Sequence, residues 1–215
     1  MTAQGTECAG FLGGAAAAAH LLAEPAVAGS WDQPSALPEF PVSGLAGHLA
    51  RQVLMVPVLL AGGAPAGEPV SVLEHYARVP WAGAGLDHEV NAAVRRSGQE
   101  AAACGPAELA SRTGEAVTQL RRSLPAEPAD RLLPVPGGTW LLALPGFLLT
   151  RLVEIVVHAD DLAVSAGILG PPMPPEATDA VLVLLTRLAA RRHGPAAVLR
   201  ALCRAERAPA TIAAF

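Results

Sequence analysis

The chain has 215 residues, 52 % of them hydrophobic and only 16 % charged, with a formal net charge of -4. A chain of this length buries a core without disulfides, and mild acidity with no basic stripe or interleaved aromatic pattern argues against a nucleic-acid partner. Cys8, Cys104 and Cys203 are odd in number, widely spaced and free of any CxxC, which points to a reducing cytoplasm and away from a disulfide scaffold.

The segment from about Cys8 to Ala28 is Ala- and Leu-rich and reads as a first helix, closed by Pro25 and Gly29. Its apolar part, Phe11 to Leu22, raises the question of a signal peptide, but no Lys or Arg precedes Arg51 and the positive flank is missing. Neither this stretch nor Trp140 to Leu149, broken by Pro145 and Gly146, is long enough to span a bilayer. The expectation is a soluble, cytoplasmic protein with no membrane partner.

Trp31 to Pro41 carries three prolines and reads as an ordered loop. Pro41 then suits the first turn of a second helix, from about Val42 to Leu60, because its missing N–H is harmless there. Leu45, His48, Leu49 and Gln52 lie near one face of that helix, so His48 points where core residues point.

Gly62 to Pro69 is a linker, and Val70 to Val79 and Leu86 to Ala103 are helical candidates separated by Pro80 and Gly83-Ala84-Gly85. Pro106 to Leu124 repeats apolar residues at helical spacing, with Gly105 as a kink or short link before it. Pro125 to Gly138 is a loop, and Pro145 opens a helix that runs to about Ala166. Pro171 to Pro175 connects to a helix from about Glu176 to Arg192, and Gly194-Pro195 begins a last short one. No period-2 strand pattern competes, so the fold class is all-α: a four-helix bundle with additional C-terminal helices, whose facing helices can build a site in the core. Residues 1–170 are expected to form the bundle. Residues 171–215 are expected to pack on the same domain, because Ala180, Val183, Leu184, Leu188, Leu199 and Leu202 would otherwise expose an apolar stripe.

Chemistry concentrates in Glu154-Ile155-Val156-Val157-His158. Four residues is about one helical turn, so carboxylate and imidazole stand above one another on one face. With His48 from the second helix they would give the open three-ligand arrangement of catalytic zinc, where water or substrate takes the remaining position. Glu154 is flanked by Leu152, Val153, Ile155, Val156 and Val157, and a carboxylate there is costly to bury unless paired or coordinated. An ion pair with Arg151 is the purely structural alternative. Asp161 lies close to the same stripe and is open to three roles, as an acceptor behind His158, a fourth ligand or an acid–base group, or else is simply solvated. Asp160 is rotated away. His20, His75, His88 and His193 have no partner at ligand spacing and read as surface or packing residues. Tyr76 and Trp81 flank a Gly-rich loop and are candidates to line a pocket. No GxGxxG, Walker loop, GxSxG or catalytic-cysteine signature is present.

The run Trp31-Asp32-Gln33-Pro34-Ser35-Ala36-Leu37-Pro38, followed by Val42-Ser43-Gly44-Leu45-Ala46-Gly47-His48-Leu49, resembles the N-terminal signature of the mycothiol-dependent maleylpyruvate isomerase family of the DinB-like superfamily. Arg151 to Leu162 resembles the second signature, with Arg, Glu, His and Asp-Leu in the same relative places. The resemblance implies a DinB-like bundle and a divalent metal, usually zinc, on His48, Glu154 and His158. It further implies a low-molecular-weight thiol, mycothiol, as cosubstrate with a small-molecule electrophile, and it leaves a homodimer open. Arg151 and Asp161 are then the candidates for orientation or proton handling. Glu39-Phe40-Pro41 replaces the family's Gly-Trp-Thr, and the tail after Gly170 is too short for the isomerase's separate C-terminal domain. The expectation is therefore an S-transferase, or an isomerase of another substrate. A non-catalytic metal-binding or stress protein and a metal-dependent hydrolase are the alternatives.

Overall fold

The computed structural model describes residues 3–63, 65–81, 83–85 and 87–215. The chain starts with helix α1 (Ala3–Leu22) and the single turn α2 (Pro25–Gly29). The expected continuous first helix is therefore interrupted before Pro25, which lacks the N–H that would continue the hydrogen-bond ladder and instead opens the second piece. Helices α3 (Val42–Ala61), α6 (Pro106–Ser123) and α7 (Leu144–Ser165) pack with α1 as a four-helix bundle. Helix α3 is long and apolar enough to cross a membrane by length and composition, but 61 % of that stretch is buried inside the protein.

Between these helices the chain adds α4 (Val72–Arg78) against α7 and α5 (Glu89–Ala102) along α3. Leu86, where the α5 segment was expected to begin, lies outside the described residues. The link at Gly105 is a true break, since its φ of 84° is left-handed and separates α5 from α6. Three short strands, absent from the sequence reading, tie the loops at the entry to α7. They are β1 (Glu68–Pro69), β2 (Leu132–Pro134) and β3 (Trp140–Ala143). Strand β3 is central, parallel to β1 with Glu68 opposite Trp140, and antiparallel to β2 with Leu133 opposite Leu142.

Helix α8 (Pro175–His193) lies on α1 and α7, and α9 (Pro195–Cys203) folds back on α8. Ala177, Val181, Leu184 and Leu188 of α8 are buried with Tyr76, Val79, Leu152 and Val153 in a second apolar cluster outside the bundle core. Val183, Leu199 and Leu202 stay exposed, contrary to the apolar-stripe expectation. The stripe is narrower than that because α8 offers one face to α7 and Val183 lies on another.

Two packing devices set the position of the site. Helices α3 and α5 approach so closely that a Cβ on Gly47 would stand on the Gly98 carbonyl, and one on Gly98 would crowd Gly44, Phe40 and His48. The Pro-rich loop is ordered as expected. The Val42 amide donates to the Gln33 carbonyl and the Ser43 amide to that of Trp31, both at 2.9 Å, and the Ala36 amide donates to Ser165 Oγ at the end of α7, also at 2.9 Å. One loop thus pins the start of α3 to the end of α7.

Candidate metal centre

His48 comes from the second turn of α3, and Glu154 and His158 from successive turns of α7. One Glu154 oxygen, Oε2, stands 3.1 Å from His48 Nε2 and 3.4 Å from His158 Nε2. The two imidazoles are nearly perpendicular, at 88° with centroids 4.8 Å apart. A tetrahedral centre with bonds of about 2.05 Å has edges of about 3.3 Å, and the two carboxylate–imidazole separations match that edge. The three ligand atoms lie within 4.8 Å of one another. Two imidazole nitrogens and a carboxylate oxygen are a donor set suited to zinc and similar divalent ions, so the residues present fit such an ion.

Electrostatics hold the group in a defined protonation pattern. Burial alone would raise the Glu154 carboxyl, but hydrogen bonds from His158 and His48 keep it well below the usual carboxylate range. Burial opposes a charge on His158 too, yet its hydrogen bonds to Asp161 and Glu154 outweigh this and push it up to about 9. Burial pushes His48 below its ordinary value against the pull of Glu154. At neutral pH the site therefore holds an ionised Glu154, a charged His158 and a neutral His48. A cation binding here must displace the His158 proton.

The structure places the other expected residues as follows around this group. Asp161 Oδ2 lies 2.9 Å from His158 Nδ1 and orients the ring from behind, the first of the roles its spacing allowed. Asp160 is exposed on another face. Arg151 does not pair with Glu154: its Nη1 donates to Gln52 Oε1 at 2.6 Å, and its guanidinium carbon lies 5.6 Å from the centre of the Phe147 ring. The structural alternative of an Arg151–Glu154 ion pair is thereby replaced.

Gln52 is the residue whose role the sequence did not reveal. It is buried, donates through Nε2 to the His48 carbonyl at 3.0 Å, and stands 3.3 Å from His48 Nε2. It therefore joins Arg151 to His48. The available signal was its position one turn beyond His48 on the same face. His75, read as a packing residue, is buried and accepts at Nδ1 from Trp140 Nε1 at 3.1 Å. Tyr76 is buried with its hydroxyl unpartnered among the described residues.

A helical bundle of this kind is consistent with the architecture of the DinB-like proteins. The family model described as mycothiol maleylpyruvate isomerase N-terminal domain matches residues 12–163, and the chain belongs to that family. It is a mycothiol-associated, DinB-like protein. No curated protein and no solved structure matches the chain.

Proposed function

We propose that the protein is a metal-dependent enzyme that uses a low-molecular-weight thiol, mycothiol, to attack a small electrophile, as an S-transferase or isomerase. The observation that carries this reading is the single Glu154 oxygen held between two imidazole nitrogens at 3.1 and 3.4 Å, at the edge length of a tetrahedral site. His48, Glu154 and His158 are the proposed ligands. A divalent cation such as zinc, when bound there, supplies the positive charge that favours a thiolate at neutral pH.

The chain's own residues do the rest. Asp161 fixes the His158 ring so that Nε2 faces the site. Arg151, held by Gln52, presents a permanent positive charge suited to an anionic group of thiol or substrate, and a guanidinium cannot itself ligate a metal. The side chains of the triad are only 10 to 21 % exposed, so water has restricted access to the ligand atoms. Residues 171–215 are proposed to be part of the same folding unit as 1–170, since α8 shares the cluster of Leu152 and Val153.

The test pairs bound-metal content with the rate of electrophile consumption across a mycothiol titration. His158→Ala should lose both metal and thiol-dependent turnover, because two protein ligands remain. Arg151→Ala should keep the metal and bind thiol or substrate more weakly. Full activity in metal-free protein excludes the mechanism, and thiol-independent turnover by metal-loaded protein points to a hydrolase instead.

A further inference from the structure

Tyr76 and Trp81 are not among the proposed metal ligands, and nothing in the proposed reaction uses them. Tyr76 is only 7 % exposed and its hydroxyl has no hydrogen-bond partner among the described residues. A buried hydroxyl left unpaired is costly, and a ligand carrying an acceptor would remove that cost. Burial, aided by the charge of Glu154, pushes the phenol well above its ordinary value, so the hydroxyl remains a donor at any working pH.

What covers the ring is unusual. The segment 208–215 has no regular structure and returns from α9 to this point, where the Ala213 carbonyl lies 2.8 Å from His193 Nε2. Its last side chain, Phe215, sits 5.3 Å from the Tyr76 ring and 5.0 Å from the Trp81 ring, centroid to centroid, while the Tyr76 and Trp81 rings meet edge-on at 6.2 Å. Such separations are those of favourable aromatic pairs. Phe215 nevertheless stays 38 % exposed. It lies against both rings without being part of the core, held by ring contacts and one hydrogen bond nearby.

We propose that Tyr76 and Trp81 form a binding subsite for an aryl group bearing an oxygen acceptor, and that Phe215 occupies this subsite until the ligand displaces it. The aryl ring takes the place of the Phe215 ring, and its acceptor receives the Tyr76 hydroxyl. Describing this ligand as the electrophile rests on the thiol chemistry proposed above; the subsite and its plug do not. A plug in place about nine-tenths of the time weakens ligand binding about tenfold, because only the open fraction is competent.

The experiment uses the full chain, free of metal and thiol, titrated with the dye anilinonaphthalene sulfonate, which is aromatic and carries sulfonate acceptors. Failure of the thiol chemistry therefore leaves this measurement untouched. Phe215→Ala is expected to bind the dye roughly tenfold more tightly than wild type. Phe215→Leu, which keeps an apolar plug, should stay close to wild type, and the double variant Phe215→Ala/Trp81→Ala should lose the gain. Tyr76→Phe in the Phe215→Ala background should bind several-fold more weakly while its unfolding transition stays in place. Equal dye affinity in wild type and Phe215→Ala overturns the proposal. So does a gain that survives in the double variant, which would mean that the dye reads general loosening of the fold.

Discussion

The α3–α7 pair and the outer layer of α4, α8 and the segment 208–215 each leave one buried polar atom unpartnered, His48 Nδ1 in the first and the Tyr76 hydroxyl in the second, but differ in what surrounds it. Across α3 and α7, Glu154 meets both imidazoles, Asp161 backs His158, and Gln52 links Arg151 to His48. In the outer layer the Tyr76 hydroxyl is buried without a partner, and its ring sits on the 7-residue helix α4 against Phe215 of the irregular segment 208–215. The difference teaches where each kind of function can reside. Two helices of about 20 residues, pinned to each other by the Pro-rich loop, hold His48, Glu154 and His158 to a fixed geometry. A 7-residue helix and an irregular segment can shift, and so suit recognition better than ligation.

The strongest way to break the comparison is to remove the outer layer. A chain ending at Gly170 would strip α8 from Leu152 and Val153, which are almost fully buried beneath it. It should aggregate or unfold well below the temperature of the full chain, as thermal scanning with light scattering would record. Unchanged unfolding would mean that residues 171–215 are not part of the same unit.

Next in size is a disturbance of the inner pair from its back. Gly47→Ala places a methyl group 2.0 Å from the Gly98 carbonyl, which forces α3 and α5 apart beside His48. The expected loss is about 3 kcal/mol of stability in urea unfolding, with metal content falling as His48 moves. Wild-type stability would show that the helices separate at little cost.

The proton on His158 sharpens the same region. With its value raised to about 9, metal uptake must release that proton, so affinity should rise roughly tenfold per pH unit between about pH 6.5 and 8.5. Competition against a chelator of known pH dependence measures this. A flat profile would mean that His158 is neutral before the metal arrives.

The smallest effect belongs to the outer layer and runs through His75. Burial, with the Arg151 charge, lowers its value to about 4 from 6.5. The unfolded chain therefore takes up this proton at higher pH than the folded one. The associated stability is fully present above about 6.5 and is lost as pH falls toward about 4, reaching about 1.4 kcal/mol at pH 5.5. Protonation also removes the Nδ1 lone pair that accepts from Trp140. Chemical denaturation at several pH values should show a loss of this size that disappears in His75→Gln. An equal loss in both proteins would assign the acid sensitivity elsewhere.

The sequence by itself determined the helical class, most helix boundaries and the placement of Glu154 and His158 on one stripe, because helical periodicity, prolines and i,i+4 spacing are local properties. His48 was also legible, as a lone imidazole on the apolar face of its helix. Tertiary structure alone decided that Arg151 would be held by Gln52, 99 residues away, instead of pairing with Glu154 three residues along its own helix. It alone decided the sheet as well. Strands of two to four residues are too short to show an alternating pattern, and Glu68 meets Trp140 only after the bundle has brought their loops together. The return of Phe215 to Tyr76 is of the same kind. Contacts between distant segments depend on how whole helices pack, and no local spacing records that.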